Sequence, residues 1–197
     1  MLTKTQIEIM KIFVSKINER FSIKKIAEIL KKPYPLIHRS TKLLIKEGFL
    51  LKDDKNLISL NYKENFQTLA YIESLRADTF LRDKTLKLFV KDVFEKINRD
   101  FFVFLIFGSS VESKEPRDMD VLFIVQDKER INEIEKAVSN IASNFSKKLD
   151  VNVISVESSY EMLSKRDSIN VLNETLNKHI ILFGAENYYR ILKNARQ

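Results

Sequence analysis

The sequence predicts a protein of mixed class, with an α+β part at the N-terminus and an α/β part at the C-terminus. Residues 1–62 hold three apolar patterns of helical spacing followed by two short apolar strands. Residues 62–99 contain neither Gly nor Pro and keep a helical spacing of apolar positions. From residue 101 onward, strand-like runs alternate with helical patterns, which predicts a small mixed sheet flanked by helices.

The composition narrows the classes of protein that this chain can be. At 197 residues with 44% hydrophobic content, it is long enough for one ordinary domain or two small ones. The absence of cysteine excludes disulfides and thiolate zinc sites. The longest apolar run, residues 101–107, is too short to span a membrane, and the first residues lack the apolar core of a signal peptide. We therefore expect a cytoplasmic protein with no membrane partner.

The positive charge of the chain is concentrated in its first third. Residues 1–62 contain 13 Lys and Arg against 6 Asp and Glu, a net charge of +7, whereas residues 63–197 contain 21 of each. A small basic module suits a polyanion such as DNA, because cations that neutralise phosphates release condensed counterions. A lysine-rich surface that only aids solubility is the alternative from charge alone.

The elements expected in residues 1–62 follow from local signals. Thr3 or Thr5 can cap the first helix, and a serine cap opens the second over residues 22–31. Pro33 and Pro35 mark the turn into a third helix, which ends near residue 46 before Gly48. The stretch FLLKDDKNLISL then reads as two strands around a polar turn.

This order of elements resembles a winged helix-turn-helix domain over nearly all of residues 1–62. The segment LIHRSTKLLIKEGFL is similar to the recognition helix and first wing strand of that family. The resemblance implies DNA binding, with side chains of the third helix toward the major groove and lysines of the wing on phosphates. The implied DNA-contacting residues are Tyr34, His38, Arg39, Lys42, Lys52 and Lys55. A winged helix that makes only protein contacts remains open.

The helical stretch after the wing is expected to divide in two. A break near residues 77–79 is predicted because Asp78 or Thr79 could cap a second helix. Residues 63–78 would then form a helical connector or a homodimer contact, and residues 79–197 the C-terminal domain. Among the later aromatic residues, Phe183, Tyr188 and Tyr189 are expected in the core. His179 is expected either at the surface or in the core, because neither histidine belongs to a metal-binding pattern.

Three aspartates have strand contexts that point to one site. Asp118 directly precedes the strand MDVLFIV and Asp120 is its second residue, and alternation places both on one face with α-carbons roughly 7 Å apart. Asp150 opens the strand LDVNVISV after enough residues for a helical crossover, which predicts a parallel neighbour. Neighbouring carboxylates repel each other unless a cation compensates, and hard divalent cations such as Mg²⁺ prefer oxygen ligands. Such a site favours phosphoryl or nucleotidyl chemistry over glycoside hydrolysis.

A possible phosphate contact precedes these acids. Gly108 and Ser109 follow the apolar run FFVFLIF and are expected to begin a short helix. Glycine lets the backbone approach a phosphate, and helix-start amides with a serine hydroxyl can donate hydrogen bonds to it.

Together, Phe107-Gly108-Ser109, Asp118-Met119-Asp120 and Leu149-Asp150-Val151 resemble the motifs of the nucleotidyltransferase superfamily that includes DNA polymerase beta. The tail HIILFGAENYY is similar to its minimal, antitoxin-type members, so the resemblance covers about residues 79–197. The family pattern has a longer loop after Gly-Ser, a basic residue and a glycine within it, and a serine before the first aspartate. Here only residues 110–117 intervene, and Arg117 replaces that serine.

The resemblance implies an enzyme that transfers a nucleotidyl group from a nucleoside triphosphate, with ATP as the expected substrate. Asp118 and Asp120 would bind Mg²⁺, with two ions expected, and Asp150 would complete the metal site or activate the attacking hydroxyl. Gly108 and Ser109 would bind the nucleotide. Lys114 and Arg117 are further candidates for phosphate contacts. A protein hydroxyl, as on a toxin-like partner, an RNA end and a small molecule all remain open as acceptor. The alternative is a transcriptional regulator whose second domain is inactive and senses a nucleotide or dimerises.

Overall fold

The computed structural model describes residues 2–97, 103–113, 118–145 and 148–197. Within these ranges the fold is mixed α/β, with nine α-helices, a two-stranded hairpin and a small mixed sheet. The predicted strand residues 101 and 102 and the candidate phosphate contacts Lys114 and Arg117 lie outside the described residues. None of the helices in the described ranges is long and apolar enough to cross a membrane.

The N-terminal elements confirm the order that the sequence predicts. They are α1 (Lys4–Ser15), α2 (Ile23–Leu30), α3 (Tyr34–Lys46), β1 (Leu50–Lys52) and β2 (Ile58–Leu60). Thr3 caps α1 in a reciprocal pair with Gln6, and the hydroxyl of Ser22 accepts a hydrogen bond from the amide of Lys25 at the start of α2. Strands β1 and β2 pair antiparallel around the polar turn.

The predicted helix break at residues 77–79 was wrong by about one turn. Helix α4 (Phe66–Phe80) continues through these residues, and α5 (Lys84–Lys96) begins after Asp83. The carboxylate of Asp83 accepts hydrogen bonds from the amides of Thr85 and Leu86, so the cap is Asp83 instead of Asp78. The hydroxyl of Thr79 donates to the carbonyl of Leu75 within α4, which a helix interior tolerates.

The C-terminal part is built on a four-stranded sheet. Its elements are β3 (Val103–Phe107), β4 (Asp118–Val125), α6 (Ile131–Ala142), β5 (Lys148–Ser155), α7 (Val156–Ser164), α8 (Val171–Thr175), β6 (His179–Phe183) and α9 (Ala185–Ala195). The strand order is β5-β4-β3-β6, with β4 and β5 parallel and the other pairs antiparallel. A 3₁₀ turn, Gly108–Val111, directly follows β3.

Alternating side chains of the strands pack into two apolar layers. Phe104, Phe123 and Val121 face α5 and α6, whereas Leu105 and Leu122 face the other side. That second layer includes residues of α4, α7 and α9 and continues into the N-terminal helices. The two halves of the chain therefore share one continuous apolar core. Tyr188 and Tyr189 are fully buried in it, as predicted.

A buried ionic cluster anchors α4 to β6 and α9. The carboxylate of Glu73 accepts hydrogen bonds from Arg76 at 2.6 Å and from the hydroxyl of Tyr189 at 2.8 Å, and it lies 3.1 Å from Nε2 of His179. Arg76 also donates to the carbonyl oxygen of His179 at 2.6 Å. Burial by itself raises the pKa of Glu73, but Arg76, His179 and the hydrogen bond from Tyr189 outweigh it and leave that pKa below its usual value. His179 is thus a core residue, one of the two places that the sequence allowed.

Candidate functional site

The three aspartates lie at the same end of the sheet. Asp118 and Asp120 are the first and third residues of β4, and Asp120 is directly level with Asp150 on the parallel strand β5. Adjacent strands are about 4.8 Å apart, so the α-carbons of Asp120 and Asp150 are close neighbours. Met119 and Val121 are buried toward α5 and α6, and alternation turns the carboxylates of β4 to the opposite face.

The electrostatics of this end of the sheet centre on Asp120. Its side chain is half-buried, whereas Asp118 and Asp150 are exposed. The pKa of Asp120 is raised above its usual value, and burial is the largest cause. The negative charges of Asp150, Asp118 and Glu174 raise this pKa further. Asp120 therefore carries an unfavourable charge that a bound cation would relieve.

Glu174 is a fourth acid of this site that the sequence did not indicate. It lies on the short helix α8, which Asn170 caps by accepting a hydrogen bond from the amide of Asn173. Exposed glutamates are common on helices, and no motif links Glu174 to the aspartates in sequence. Its influence on Asp120 arises only from the folding of the α8 segment beside the sheet.

The 3₁₀ turn leaves room for the carboxylate of Asp120, because the turn begins with a glycine. Gly108 has φ of +76°, and a Cβ atom at this position would lie 2.6 Å from Oδ2 of Asp120. The amide of Gly108 donates to the carbonyl oxygen of Lys178 at 3.1 Å, which ties the turn to the start of β6. Within the turn, Ser110 is buried and donates to the carbonyl oxygen of Phe107, whereas Ser109 is exposed. Ser109 is thus the serine of the pair that a ligand can reach.

The described residues do not form a ready-made metal cage. Among them, no group of three or more His, Cys, Asp or Glu residues has an arrangement that could hold a metal ion. Asp118, Asp120 and Asp150 share one end of the sheet but are not among any such group in the described part of the chain.

The six candidate DNA-contacting side chains are all exposed on the N-terminal part. They are Tyr34, His38, Arg39, Lys42, Lys52 and Lys55. Ile37 and Leu44 on the opposite side of α3 are fully buried, so α3 turns the face with the candidate residues toward solvent. Tyr34, His38 and Lys52 line one cleft of about 290 Å³ together with Ser22 and Lys24. Arg39, Lys42 and Lys55 do not line this cleft.

The exposed face of α3 also carries apolar side chains. Leu36 and Leu43 are each 43% exposed, and Tyr34 is 49% exposed. Because positions seven apart lie on the same side of a helix, Leu36 and Leu43 form an apolar strip beside the basic residues. This strip suits protein contacts as well as DNA contacts.

Comparisons with protein-family models, with curated proteins and with solved structures gave no match for this chain. The functional assignment therefore depends on the residues themselves and on their geometry.

Proposed function

We propose that this protein is a magnesium-dependent nucleotidyltransferase joined to a DNA-binding winged helix. The observation that carries the proposal is the register of Asp120 with Asp150, next to a glycine that leaves room for the carboxylate of Asp120. Acids on parallel strands beside a Gly-Ser turn are the arrangement that the family resemblance leads one to expect.

Asp118, Asp120 and Asp150 would hold the metal. Their donors are carboxylate oxygens, which suit Mg²⁺. The raised pKa of Asp120 indicates that a bound cation would stabilise its negative charge. When bound, Mg²⁺ supplies positive charge that neutralises the phosphates and the charge that develops during transfer. Glu174 on α8 adds a further negative charge near Asp120 and would strengthen cation binding at the aspartates.

The 3₁₀ turn would bind the triphosphate of the nucleotide, with ATP as the proposed substrate. The hydroxyl of Ser109 is exposed and can donate a hydrogen bond to a phosphate oxygen. Gly108 lets the turn lie directly against the carboxylate of Asp120, because a side chain at this position would collide with Oδ2 of Asp120. Lys114 and Arg117 are proposed as further phosphate contacts on the strength of their charge and their place in the sequence alone.

The transfer step needs one base and one leaving group. Asp150 would accept the proton of the acceptor hydroxyl, whose oxygen then forms a bond to the α-phosphorus of ATP. The bond between the α-phosphorus and the bridging oxygen breaks, and pyrophosphate leaves. A protein hydroxyl, for example on a toxin-like partner, an RNA end and a small molecule all remain possible acceptors.

The N-terminal module would bring this activity to DNA. Its net charge of +7 and the exposed side chains of α3 support binding to phosphates and to the major groove. The cleft formed by Tyr34, His38 and Lys52 supports one continuous contact surface between α3 and the wing.

A second candidate is a transcriptional regulator whose C-terminal part has lost catalysis. The observation that favours it is the lack of converging metal ligands among the described residues, together with the short loop between Ser109 and Asp118. In that case the acids would serve nucleotide sensing or dimerisation.

One experiment separates these candidates. The purified protein is incubated with α-labelled ATP and the other nucleoside triphosphates, with and without Mg²⁺, both alone and with cell extract. The wild type is compared with Asp118→Asn/Asp120→Asn and with a control, Asp92→Asn/Glu95→Gln, which changes two acids of α5 away from the site.

We expect Mg²⁺-dependent label transfer by the wild type and by the control, and none by the Asp118→Asn/Asp120→Asn variant. Metal-dependent ATP binding without transfer would favour the regulator. If the wild type shows no label transfer and no metal-dependent ATP binding, the enzyme proposal is refuted.

A further inference from the structure

A groove separates the N-terminal helices from the 3₁₀ turn. Two adjoining cavities, of about 490 Å³ and about 270 Å³, share four lining residues and form one continuous space. The shared residues are Lys11 of α1, Arg76 of α4, Val111 of the turn and Ile180 of β6. We call this space the junction groove, and none of the three aspartates lines it.

One end of the junction groove is cationic. Lys11, Lys16 and Lys178 line this end, together with Glu112. Nζ of Lys178 lies 3.3 Å from the carboxylate of Glu112, and Nζ of Lys16 lies 3.8 Å from it. The side chains of Lys16 and Lys178 are 31% and 48% exposed, so water and a ligand can reach both in part. Lys16 also pairs with Glu19 at 3.0 Å, so two carboxylates stand among three ammonium groups and this end keeps a net positive charge.

The other end of the junction groove is largely apolar. Phe80 and Thr79 at the end of α4 line it beside Val111 and Ile180. Phe80 is half-buried, so part of its side chain remains accessible. Arg76 forms part of the wall, but its guanidinium is already engaged by Glu73 and by the carbonyl oxygen of His179.

We propose that the junction groove binds a free nucleotide at a second site, separate from the aspartates. The phosphates would lie among Lys11, Lys16 and Lys178, and the base would pack against Phe80, Val111 and Ile180. An aromatic and aliphatic surface beside clustered cations matches the two chemical halves of a nucleotide. A groove between two parts of a fold is also a common place for small ligands.

This site needs no metal, because lysines would supply the positive charge that Mg²⁺ supplies at the aspartates. Its occupant would touch α1 on one wall and the turn that begins at Gly108 on the other. Nucleotide binding would therefore link the position of the basic N-terminal module to the Gly-Ser turn.

Glu112 would compete with the phosphates of the proposed ligand, because it lines the cationic end of the junction groove. Its carboxylate pairs with Lys178 at 3.3 Å and lies 3.8 Å from Nζ of Lys16, whose nearer partner is Glu19. Glu112→Gln would remove this competing charge without changing the size of the side chain. The substitution is therefore expected to tighten nucleotide binding, the opposite of what a merely structural residue would do.

Binding is measured with fluorescent N-methylanthraniloyl-ATP and with unlabelled ATP in buffer containing EDTA, which removes metal-dependent binding at the aspartates. We expect binding by the wild type and by Asp118→Asn/Asp120→Asn. Lys16→Ala/Lys178→Ala should weaken it about tenfold, because two charge-assisted contacts are lost. The control Lys87→Ala/Lys91→Ala, on α5 and away from the groove, should leave the affinity unchanged, and Glu112→Gln should tighten it about threefold or more.

Several results would overturn the proposal. The first is that the wild type does not bind ATP in EDTA, and the second is that the Lys16→Ala/Lys178→Ala variant binds ATP as tightly as the wild type. The third is that inorganic triphosphate binds as tightly as ATP, which would show that the apolar end is not used. A short single-stranded RNA that binds through the same lysines more tightly than ATP would assign the groove to nucleic acid instead. Loss of label transfer with ATP binding in EDTA intact would count against the proposed enzyme and not against this site.

Discussion

Gly108 lies directly against the carboxylate of Asp120. A Cβ atom on residue 108 would be 2.6 Å from Oδ2 of Asp120, and the φ of +76° at this position disfavours any other residue. The absence of a side chain at residue 108 is thus what allows Asp120, a candidate metal ligand, to take its present position. This relationship couples the Gly-Ser turn to the aspartates through direct contact.

Gly108→Ala is expected to destabilise the protein and to impair the acidic site. The positive φ alone costs about 1 to 2 kcal/mol for a residue with a side chain. Gly48→Ala is a matched control, because Gly48 also has φ of +76° but its nearest neighbour would be 3.8 Å from the new Cβ. Urea unfolding of both variants should show a larger loss for Gly108→Ala, and equal losses would mean that the contact with Asp120 does not matter.

A double-mutant cycle isolates this contact. Asp120→Ala removes the atom that clashes, so Gly108→Ala should cost less free energy of unfolding in that background than in the wild type. Additive effects of the two substitutions would show that the turn and Asp120 are independent.

Asp120→Asn is expected to raise the melting temperature at neutral pH when no metal is added. The pKa of Asp120 is raised, so the folded state binds more protons than the unfolded state, and the charge costs stability once the pH exceeds that pKa. For a partly exposed group this amounts to about 0.2 to 1 kcal/mol, or roughly 0.4 to 4 °C. The gain should vanish below pH 3.8.

Added Mg²⁺ should stabilise the wild type and not Asp120→Asn, because only binding to the folded state raises its stability. Calorimetry with and without Mg²⁺ checks both effects. Equal stabilisation of the two proteins by Mg²⁺ would count against Asp120 as a ligand.

Glu73→Gln is expected to lower the free energy of unfolding by roughly 3 kcal/mol, because it leaves the buried guanidinium of Arg76 without its counter-ion. The pKa of Glu73 is lowered on folding, so its stabilising effect is complete above pH 4.5 and is lost as the pH falls below it. Urea midpoints between pH 3 and 7 should therefore converge for wild type and variant at the acid end. The exposed control Glu95→Gln should change stability by less than about 0.5 kcal/mol.

Thr41→Val is expected to stabilise the protein by about 1 kcal/mol. The side chain of Thr41 is fully buried in α3, and its Oγ1 has no hydrogen-bond partner among the described residues. Valine keeps the shape and removes the cost of burying an unpaired hydroxyl. Thermal unfolding measures the effect, and a drop in melting temperature would indicate a partner such as an internal water.

Arg39→Ala is expected to weaken DNA binding about tenfold if α3 enters the major groove. Wild-type affinity should fall about a hundredfold between about 50 and 200 mM salt, because several phosphates are neutralised on binding. The exposed control Arg82→Ala, which lies between α4 and α5, should leave affinity unchanged. Fluorescence anisotropy with duplex DNA tests this, and salt-independent binding or none would leave α3 as a surface for protein contacts.

Much of the fold could be predicted from local signals. The Ser22 cap, the prolines at the start of α3 and the alternation in β4 each act within a few residues, and all correspond to elements of the structure. The boundary between α4 and α5 was misplaced because Asp78, Thr79 and Asp83 are all acceptable caps in sequence. Burial of Ala77 and the internal hydrogen bond of Thr79 favour continuation of the helix, and neither is visible in the sequence.

The sequence by itself determined the strands that carry Asp118, Asp120 and Asp150 and the parallel pairing of β4 with β5, because alternation and crossover length depend on local chain geometry. Only the tertiary structure revealed the approach of Asp120 to Gly108, the charge of Glu174 nearby and the buried cluster around Glu73. Each of these joins residues that are distant in sequence. Their proximity depends on how whole helices and strands pack, and that packing has no local signature in the chain.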